Sequence, residues 1–448
     1  MLRERFYFFL RKISGNSKRA SVLVMVPMVW CAGCEPVTTT TTTTSTESTS
    51  TTVTVTPSDR LQSTDFTYQG AFRLPSDFNW GARGLSYYPA GNGGVGSLLV
   101  TGFDTNDPEF AQVSIPEPGT ATDWQELPEA TMLTSMINFD GDLVDQYSET
   151  NENFDSEFAV VSGIQYVPQR GSQTSDKLYG SIDYWYGVVD ATHLTVWFSE
   201  MNGSNARGLY HVGPQELPYH GNKIGDYLFS VPQWYADMYL GGRILVSGKT
   251  RGAFNGSQGP TLFAFMPWDS ENPSGDLDAV PMLWYNIYFP DCAGPNVGDK
   301  ENCDYPDFTM CDKWEGGGFV ESGDNRAIIL LGYKGLGTNC YDEPPVECND
   351  PCSDSHGYHC QPYERQVIFY DVDELGAVAG GSLDPWSVVP YAIWRPEEFY
   401  LRDTEGHTCG EVGGVAVDTG GQRVFMIEKG FGGHTNENSA IVHVWSVE

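Results

Sequence analysis

Two short stretches decide the fold: Gly84-Leu-Ser-Tyr-Tyr-Pro89 and Gly163-Ile-Gln-Tyr-Val-Pro168 repeat one pattern within a chain of 448 residues. Each begins at a glycine, is rich in apolar and aromatic side chains, and stops at a proline, which is typical of a short β-strand. A second strand is predicted after each, at Ser97–Gly102 and Lys177–Ile182. Recurrence of such a unit at a spacing of tens of residues indicates a repeat architecture.

Three later units, starting at Asp226, Gly317 and Gly413, follow the same scheme more loosely. The predicted third strands of the five units are Phe110–Ser114, Arg207–His211, Thr261–Phe265, Gln366–Tyr370 and Ile441–Trp445. The predicted fourth strands are Ala130–Ile137, Pro281–Tyr288 and Pro390–Trp394. From Asp65 onward the sequence shows no convincing amphipathic helix.

Four-stranded units in series predict an all-β β-propeller, because closure into a ring leaves few exposed strand edges. Five units are countable, and the last has only three strands before the chain reaches Glu448. The N-terminal strand Phe66–Arg73 is expected to supply the missing fourth strand and to join the two chain ends. Two alternatives stay open: a six-bladed ring, if two units are merged around residues 190–240, and one or more β-sandwiches.

The N-terminal segment is typical of an exported protein. Residues 1–20 carry six basic residues and one acidic residue, and the apolar run Ser21–Trp30 follows. That run is shorter than the roughly 20 residues of a membrane span, so it is interpreted as a secretory signal. Cys31-Ala-Gly-Cys34 resembles a bacterial lipobox, although Cys31 stands where leucine is typical. The resemblance implies lipidation of Cys34 after cleavage behind Gly33, and a plain signal peptide is the alternative.

The chain is therefore predicted to have three parts: a lipoprotein-type signal peptide over residues 1–33, a Thr/Ser-rich stalk over 34–60, and a propeller over 61–448. The Thr/Ser tract cannot bury a core, so it is expected to stay extended. We expect an exported, monomeric lipoprotein at the cell envelope or surface, attached to a membrane through its lipid alone.

The composition is strongly acidic, with 25 Lys and Arg against 59 Asp and Glu and a net charge of −34. Loss of residues 1–33 would remove six basic residues and one acidic residue and leave −39. Nucleic acid is excluded as a partner, because a polyanion binder presents clustered Lys and Arg. The aromatic content of 13% excludes a disordered acidic chain, which lacks the apolar mass to fold.

Eight cysteines follow the signal region, all in the last third of the chain: Cys292, Cys303, Cys311, Cys340, Cys348, Cys352, Cys360 and Cys409. An even number in an exported protein indicates disulfides, whose connectivity the spacing leaves open. Most of them lie in two insertions, residues 289–313 and 338–364, which have little apolar mass and would be poorly ordered without cross-links.

The residue types in these insertions suggest zinc and calcium as possible ligands, but no metal site is predicted. Zinc competes with the disulfides, since five residues have the side-chain types of zinc ligands: Cys348, Cys352, His356, His359 and Cys360. Calcium is the one cofactor that the sequence suggests, because carboxylates crowd the loop at 291–312. They are Asp291, Asp299, Glu301, Asp304, Asp307 and Asp312. No calcium-loop spacing supports this site, so a solvated acidic loop is favoured.

The ligand site of a propeller is expected over its central channel, among loops that lead into the innermost strands and out of the second strands. The ligand-binding candidates at these positions are Trp80, Arg83, Trp185, Lys249, Arg251, Glu315, Lys334 and Glu411. The catalytic candidates are Asp104, Asp183, Glu428 and Tyr184. Each residue alone is better explained as a solvated loop group or a blade-bracing ion pair. Their convergence on one face is the informative part.

Two classes of function follow. The first is a ligand-binding propeller, with a glycan as the favoured ligand and an enzymatic variant left open. A glycoside hydrolase would use two carboxylates as acid and base, whereas a lyase would hold a uronate with Arg83, Arg251 and Lys334 while Tyr184 takes a proton. The second class is a non-enzymatic adhesin or scaffold that binds another envelope component. The sequence has no Gly-x-Ser-x-Gly, phosphate-loop or His-Glu-x-x-His motif.

The stretches Gly70-Ala-Phe-Arg-Leu-Pro75 and Val442-His-Val-Trp445 resemble those of a group of uncharacterised exported bacterial lipoproteins that look like β-propeller proteins. The resemblance covers residues 65–448 and implies the fold, but it implies no established activity. Five-bladed propellers include glycoside hydrolases and lectins, which is an analogy of fold alone.

Overall fold

The structure is a computed structural model. It describes residues 59–448 except 80, 103–107, 152–153, 155–158, 185–193, 214–222, 251–258, 267–275, 286–307, 310, 339, 343–344, 352–356, 397–410 and 430–439. The predicted signal peptide, the lipobox and nearly all of the predicted stalk lie outside the described residues, so those assignments stay predictions. Within the described ranges, no helix is long and apolar enough to cross a membrane.

Short strands make up most of the described chain. Two strands precede the repeats: β1 (Asp59–Arg60) and β2 (Phe66–Arg73). Blade 1 consists of β3 (Leu85–Tyr88), β4 (Ser97–Thr101), β5 (Glu109–Val113) and β6 (Ile137–Asn138). Blade 2 consists of β7 (Ala159–Val167), β8 (Lys177–Tyr184), β9 (Val196–Glu200) and β10 (Arg207–Tyr210). Blade 3 consists of β11 (Leu228–Ser230), β12 (Leu245–Ser247), β13 (Leu262–Phe265) and β14 (Ala279–Leu283).

Blades 4 and 5 complete the chain. Blade 4 starts with β15 (Lys313–Ser322) and β16 (Asn325–Gly335). A separate hairpin follows, made of β17 (Cys340–Asp342) and β18 (Gly357–His359). Blade 4 then continues with β19 (Tyr363–Tyr370) and β20 (Ala392–Trp394), and β1 pairs parallel to β16. Blade 5 contains β21 (Val412–Asp418), β22 (Arg423–Glu428) and β23 (Ile441–Val447).

The five sheets form a closed ring. The innermost strand of each blade contacts the innermost strand of the next: β3 lies beside β7, β7 beside β11, β11 beside β15, β15 beside β21, and β21 beside β3. The prediction of a five-bladed propeller is therefore confirmed. A six-bladed ring and stacked sandwiches are both incompatible with this order of contacts.

The N-terminal strand closes the last blade, as predicted. β2 pairs antiparallel with β23, from Phe66 opposite Val447 to Arg73 opposite Ile441. Blade 5 thus contains strands from both ends of the chain. Opening the ring at this blade would require these main-chain hydrogen bonds to break, so the pairing holds the ring shut.

Glycines allow the innermost strands to approach one another closely. A Cβ atom at Gly163 would lie 2.7 Å from the Cβ atom of Leu228 in blade 3. A Cβ atom at Gly316 would lie 2.7 Å from the carbonyl oxygen of Gly413 in blade 5. Backbones at this separation leave no room for a side chain, which explains the glycine-rich starts of these inner strands.

Aromatic side chains fill the space between blades 4 and 5. The Trp445 ring in β23 meets the Trp394 ring in β20 edge-on, with ring centroids 5.5 Å apart. Tyr68 in β2 packs on Trp445 at 5.4 Å, and Phe66 packs on Trp394 at 5.3 Å. Large flat rings fit this wedge-shaped space and remove much apolar surface from water. The apolar and aromatic alternation in the sequence is therefore used first for packing between blades.

Blade 2 differs from the predicted strand order. The predicted third strand, Arg207–His211, is the fourth strand, β10, and the true third strand is β9, Val196–Glu200. The outer strands are also shorter than predicted, since β6 covers only Ile137–Asn138. Edge strands pair on one side only, so their ends carry weak sequence signals.

The expectation that the chain lacks helices is wrong. Helices occur at Leu143–Thr150, Gln233–Tyr239 and Val372–Ala379. The third begins after Asp371, whose carboxylate accepts hydrogen bonds from the backbone N–H groups of residues 373 and 374. Each helix has two turns, which is too short for a helical periodicity to stand out in the sequence.

Two disulfides confirm the prediction of cross-linked insertions: Cys311–Cys360 and Cys340–Cys348. The zinc interpretation is overturned at Cys348 and Cys360, because a sulfur in a disulfide is not a thiolate ligand. The other four predicted partners lie outside the described residues: Cys292, Cys303, Cys352 and Cys409.

The suggested calcium loop is described only at its end, so the calcium site stays a prediction. Asp312 accepts hydrogen bonds from the backbone N–H groups of Thr309 and Gly335. Its Oδ2 atom also lies 3.2 Å from Lys334 Nζ. Both oxygens of Asp312 thus already have partners within the protein.

Candidate functional site at the channel mouth

Charged side chains from all five blades gather at one end of the channel, where the chain leads into the innermost strands and leaves the second strands. We call this group the charged mouth. It consists of Arg83 from blade 1, Asp183 from blade 2, Asp226 and Lys249 from blade 3, Lys313 and Glu315 from blade 4, and Glu411 and Lys429 from blade 5. Among the predicted site residues, the structure brings together five in this group: Arg83, Asp183, Lys249, Glu315 and Glu411.

Lys249 joins blades 2 and 3 at the centre of the charged mouth. Its Nζ atom donates a hydrogen bond to Asp183 Oδ1 and lies 3.7 Å from Asp226 Oδ1. The backbone N–H of Thr250 donates to the other oxygen of Asp226. The side chains of Lys249, Asp183 and Asp226 are only 11%, 8% and 3% exposed. Two carboxyl groups and one ammonium group are thus held together out of water.

The pKa values of the two carboxyl groups are shifted in opposite directions. Burial and then the charge of Asp183 raise the pKa of Asp226 well above its ordinary value. Burial alone would also raise the pKa of Asp183, but Lys249, helped by Arg83, outweighs burial and lowers it. Two buried carboxylates with one cation between them cannot both ionise cheaply. Asp183 is therefore the stronger acid of the pair and Asp226 the weaker.

Asp226 is enclosed by the other members of this group. Its Oδ1 atom is buried and lies 3.7 Å from Lys249 Nζ. A side-chain hydrogen bond from Asp226 also contributes to the lowered pKa of Asp183. The carboxyl group of Asp226 therefore belongs to the network that joins blades 2 and 3.

Arg83 connects blade 1 to the opposite side of the ring. Its guanidinium lies 4.0 Å from Glu315 Oε2, which is too long for a hydrogen bond. Glu411 lies 3.1 Å from Lys429 Nζ. The charge of Lys429 is the main cause that lowers the pKa of Glu411, and Lys313 and Arg83 act in the same direction. Ion pairs thus cross several blade boundaries at this mouth.

The charged mouth is less acidic than the chain as a whole. Four basic and four acidic residues belong to it, counted over the described part of the chain. Their formal charges cancel, and the raised pKa of Asp226 shifts this balance toward positive charge. This contrasts with the net charge of −34 of the whole chain. An anion that approaches the protein therefore meets its least repulsive surface here.

Several predicted site residues cannot be placed at the charged mouth. Trp80, Asp104, Trp185 and Arg251 lie outside the described residues, as does the side chain of Tyr184. Lys334 belongs to blade 4 but contacts Asp312 beside the Cys311–Cys360 disulfide. Its described ion pair braces the base of the insertion.

Glu428 takes part in a separate buried network within blades 4 and 5. Its Oε2 atom lies 2.9 Å from His443 Nε2, and its Oε1 atom lies 3.5 Å from a guanidinium nitrogen of Arg365. The other ring nitrogen of His443 lies 2.9 Å from the hydroxyl of Tyr68. The Glu428 side chain is 2% exposed. This arrangement braces β2, β19, β22 and β23 against one another.

Asp226 and Lys313 are members of the site that the sequence did not predict, whereas Lys429 was expected at this channel end as a residue that follows a second strand. Asp226 opens the third repeat unit, at the position equivalent to Arg83 and Glu411 in their own units. Applying the repeat register to every unit would have found it. Lys313 could not have been found this way, because its role depends on the distance from β15 to a loop of blade 5.

Comparisons with known proteins show no family for this chain. No protein-family model and no curated protein matches this chain. Among solved structures, the chain is similar to a member of the DUF4221 family from Bacteroides vulgatus. The alignment has 8% identity and a TM-score of 0.32, and it covers 86% of this chain and 98% of the other.

Proposed function

We propose that this protein is a ligand-binding β-propeller that captures a carboxylate-bearing glycan at the charged mouth. The observation that carries the proposal is the convergence of four basic and four acidic side chains from five blades, in a chain whose net charge is −34. Arg83 lies 4.0 Å from Glu315, and its charge also lowers the pKa values of Asp183 and Glu411. A ligand carboxylate at the mouth would form charge-assisted contacts with the same basic side chains.

Binding to uronate polymers tests this proposal. The secreted chain carrying Cys34→Ser is titrated with oligogalacturonate and with its carboxyl-reduced counterpart. We expect the reduced glycan to bind at least about tenfold more weakly, because a charge-assisted hydrogen bond contributes about 1.5–3 kcal/mol. Equal affinity for both glycans would contradict the proposal, and so would the absence of binding to either.

A pair of arginine variants locates the site. Arg83→Met is expected to reduce affinity for oligogalacturonate about tenfold. Arg395→Met is the matched control, because Arg395 is half exposed beside β20 and pairs with Glu364 at 2.6 Å. If both variants bind like the parent chain, the glycan does not bind at the charged mouth.

An enzyme that cleaves the glycan is the second candidate. The opposite pKa shifts of Asp183 and Asp226 favour it. A neighbouring acid and base with opposite pKa shifts are the pair that glycan hydrolysis or elimination requires. The assay follows reducing ends and unsaturated uronate after incubation with oligogalacturonate. Product that disappears in both Asp183→Asn and Asp226→Asn would support an enzyme. Binding without product would leave a recognition protein.

We further propose that the protein is exported and anchored through a lipid on Cys34. The basic start, the short apolar run and Ala32-Gly-Cys34 support this proposal. Cell fractionation of the parent chain and of Cys34→Ser tests it. We expect the parent in the membrane fraction and the variant in a soluble fraction, whereas membrane retention of the variant would contradict the lipid anchor.

A further inference from the structure

A cavity lies at the end of the channel opposite the charged mouth. It is formed by the later halves of the innermost strands. We call it the far cavity. Its volume is about 250 Å³, and all five innermost strands contribute to its wall. A cavity of roughly 150 Å³ holds a benzene molecule. The far cavity therefore has room for a small molecule with a branched or ring-shaped apolar group.

The walls of the far cavity are fixed by aromatic packing. Tyr87 stacks on Phe425, with ring centroids 6.2 Å apart. Phe319 meets the Trp234 ring edge-on at 5.9 Å. Phe229 lies where a Cβ atom at Gly317 would come within 2.7 Å of its ring. A cavity with such supports is formed before any ligand arrives, which lowers the entropy cost of binding.

One cation and one anion line this cavity, beside both apolar and uncharged polar side chains. Arg170 is the only basic residue and Glu321 the only acidic residue in the wall, as far as the described residues show. Within the same part of the chain, neither side chain takes part in an ion pair or a hydrogen bond. Arg326 stands opposite Glu321 in the β15–β16 hairpin, but its guanidinium lies over the Trp234 ring at 4.5 Å.

Both charges are less well solvated than surface charges. Burial lowers the pKa of Arg170, and the charge of Asp237 opposes this effect only in part. Glu321 and Arg170 are each half-buried. Partly desolvated charges that make no ion pair or hydrogen bond cost free energy that a ligand of opposite charge can recover.

We propose that the far cavity binds a small apolar zwitterion, with its carboxylate on Arg170, its ammonium group on Glu321, and its apolar side chain among Tyr87, Phe229 and Phe319. A simple anion would leave Glu321 unpaired, and a simple cation would leave Arg170 unpaired. Free apolar amino acids and short apolar peptides share this chemistry. They differ in the separation of the two charges, so ligand length distinguishes them.

Calorimetric titration of the secreted Cys34→Ser chain provides the first test. The probes are leucine, dileucine and trileucine, followed by the N-acetyl and C-terminal amide forms of the tightest of the three. We expect each blocked form to bind at least about tenfold more weakly, because each loses one charge-assisted contact. The proposal fails if none of the three binds at millimolar concentrations, or if blocking either end has no effect.

Matched variants assign each end of the ligand. Arg170→Met should bind the amide as well as the free ligand, while still rejecting the N-acetyl form. Glu321→Gln should show the reverse preference. Arg395→Met should retain the parent pattern, and a thermal melt of each variant establishes that it is folded. A variant that discriminates against both blocked forms as strongly as the parent would overturn the assignment. These titrations use no glycan, so they succeed or fail independently of the charged mouth.

Discussion

The two ends of the channel use charge in different ways. At the charged mouth, Lys249 is buried against carboxylates from two blades, and Lys429 is held against Glu411. At the far cavity, Arg170 and Glu321 line one wall without an ion pair to any described residue. The same residue types therefore hold the ring together at one end and are left available for a ligand at the other.

The difference follows from burial. A fully buried charge costs several kcal/mol unless a partner compensates for it, so the charges of the mouth are tolerated only as a network between blades. Half-buried charges keep part of their water and can stay unpaired at smaller cost. We therefore expect substitutions at the mouth to change stability most and substitutions at the far cavity to change it least.

Lys249→Met should have the largest effect. It leaves the carboxyl groups of Asp183 and Asp226 buried without their shared cation, and we expect the free energy of unfolding to fall by about 3–5 kcal/mol. Urea denaturation at neutral pH measures the loss. Adding Asp183→Asn to Lys249→Met should restore part of the lost stability. Only the carboxyl group of Asp226 then remains without the cation, and its raised pKa favours the neutral form.

The control for that prediction is Arg395→Met, which removes a half-exposed ion pair with Glu364. Its expected loss is below about 1 kcal/mol. If Lys249→Met costs no more than Arg395→Met, the charged mouth does not hold the blades together.

Removal of the Cys311–Cys360 disulfide should have the next largest effect. These cysteines lie beside Gly335 at the mouth end of blade 4 and close a loop with a sequence separation of 49. Replacing both by serine should lower the free energy of unfolding by about 2–4 kcal/mol. Replacing Cys340 and Cys348, separated by only 8, should cost less. An equal loss for the two pairs would contradict the loop-length argument.

Asp226→Asn should change how stability depends on pH. The folded-state pKa of Asp226 is raised, so its contribution is fully present below the unfolded pKa and is lost as pH rises through the folded value. Asparagine stays neutral, so the variant should gain about 1 kcal/mol or more relative to the parent as pH rises above the unfolded pKa of about 4.

Asp183→Asn is the matched control for this pH series. The pKa of Asp183 is lowered, so its contribution is present above the unfolded pKa and is lost as pH falls. The stability difference between Asp183→Asn and the parent should therefore shrink on acidification. If the free energy of unfolding depends on pH in the same way for the parent and both variants, the pKa values of the two carboxyl groups are not shifted in opposite directions.

Arg170→Met should have the smallest effect on stability. The side chain makes no described ion pair, so its removal should change the free energy of unfolding by less than about 0.5 kcal/mol. The same urea denaturation measures it. A loss as large as that of Lys249→Met would mean that the far cavity depends on charge pairing as the mouth does.

The sequence allowed the fold to be predicted further than the site. The repeated Gly-start strands around Gly84 and Gly163 indicated the blades, and the strand at Phe66–Arg73 indicated closure. The order of strands in blade 2 was wrong, because β9 precedes a strand with an equally strong pattern. The two-turn helices were missed because eight residues or fewer give no clear helical period.

By itself, the sequence determined a ring of β-sheets joined at its ends, an acidic surface and a set of charged positions that face one channel end. These follow from local patterns, since strand periodicity and repeat register are properties of neighbouring residues. Only the tertiary structure decided that Lys249 lies between two carboxyl groups, that Glu428 braces two blades, and that Arg170 and Glu321 share a cavity. Those relations depend on distances between blades, which no local pattern specifies.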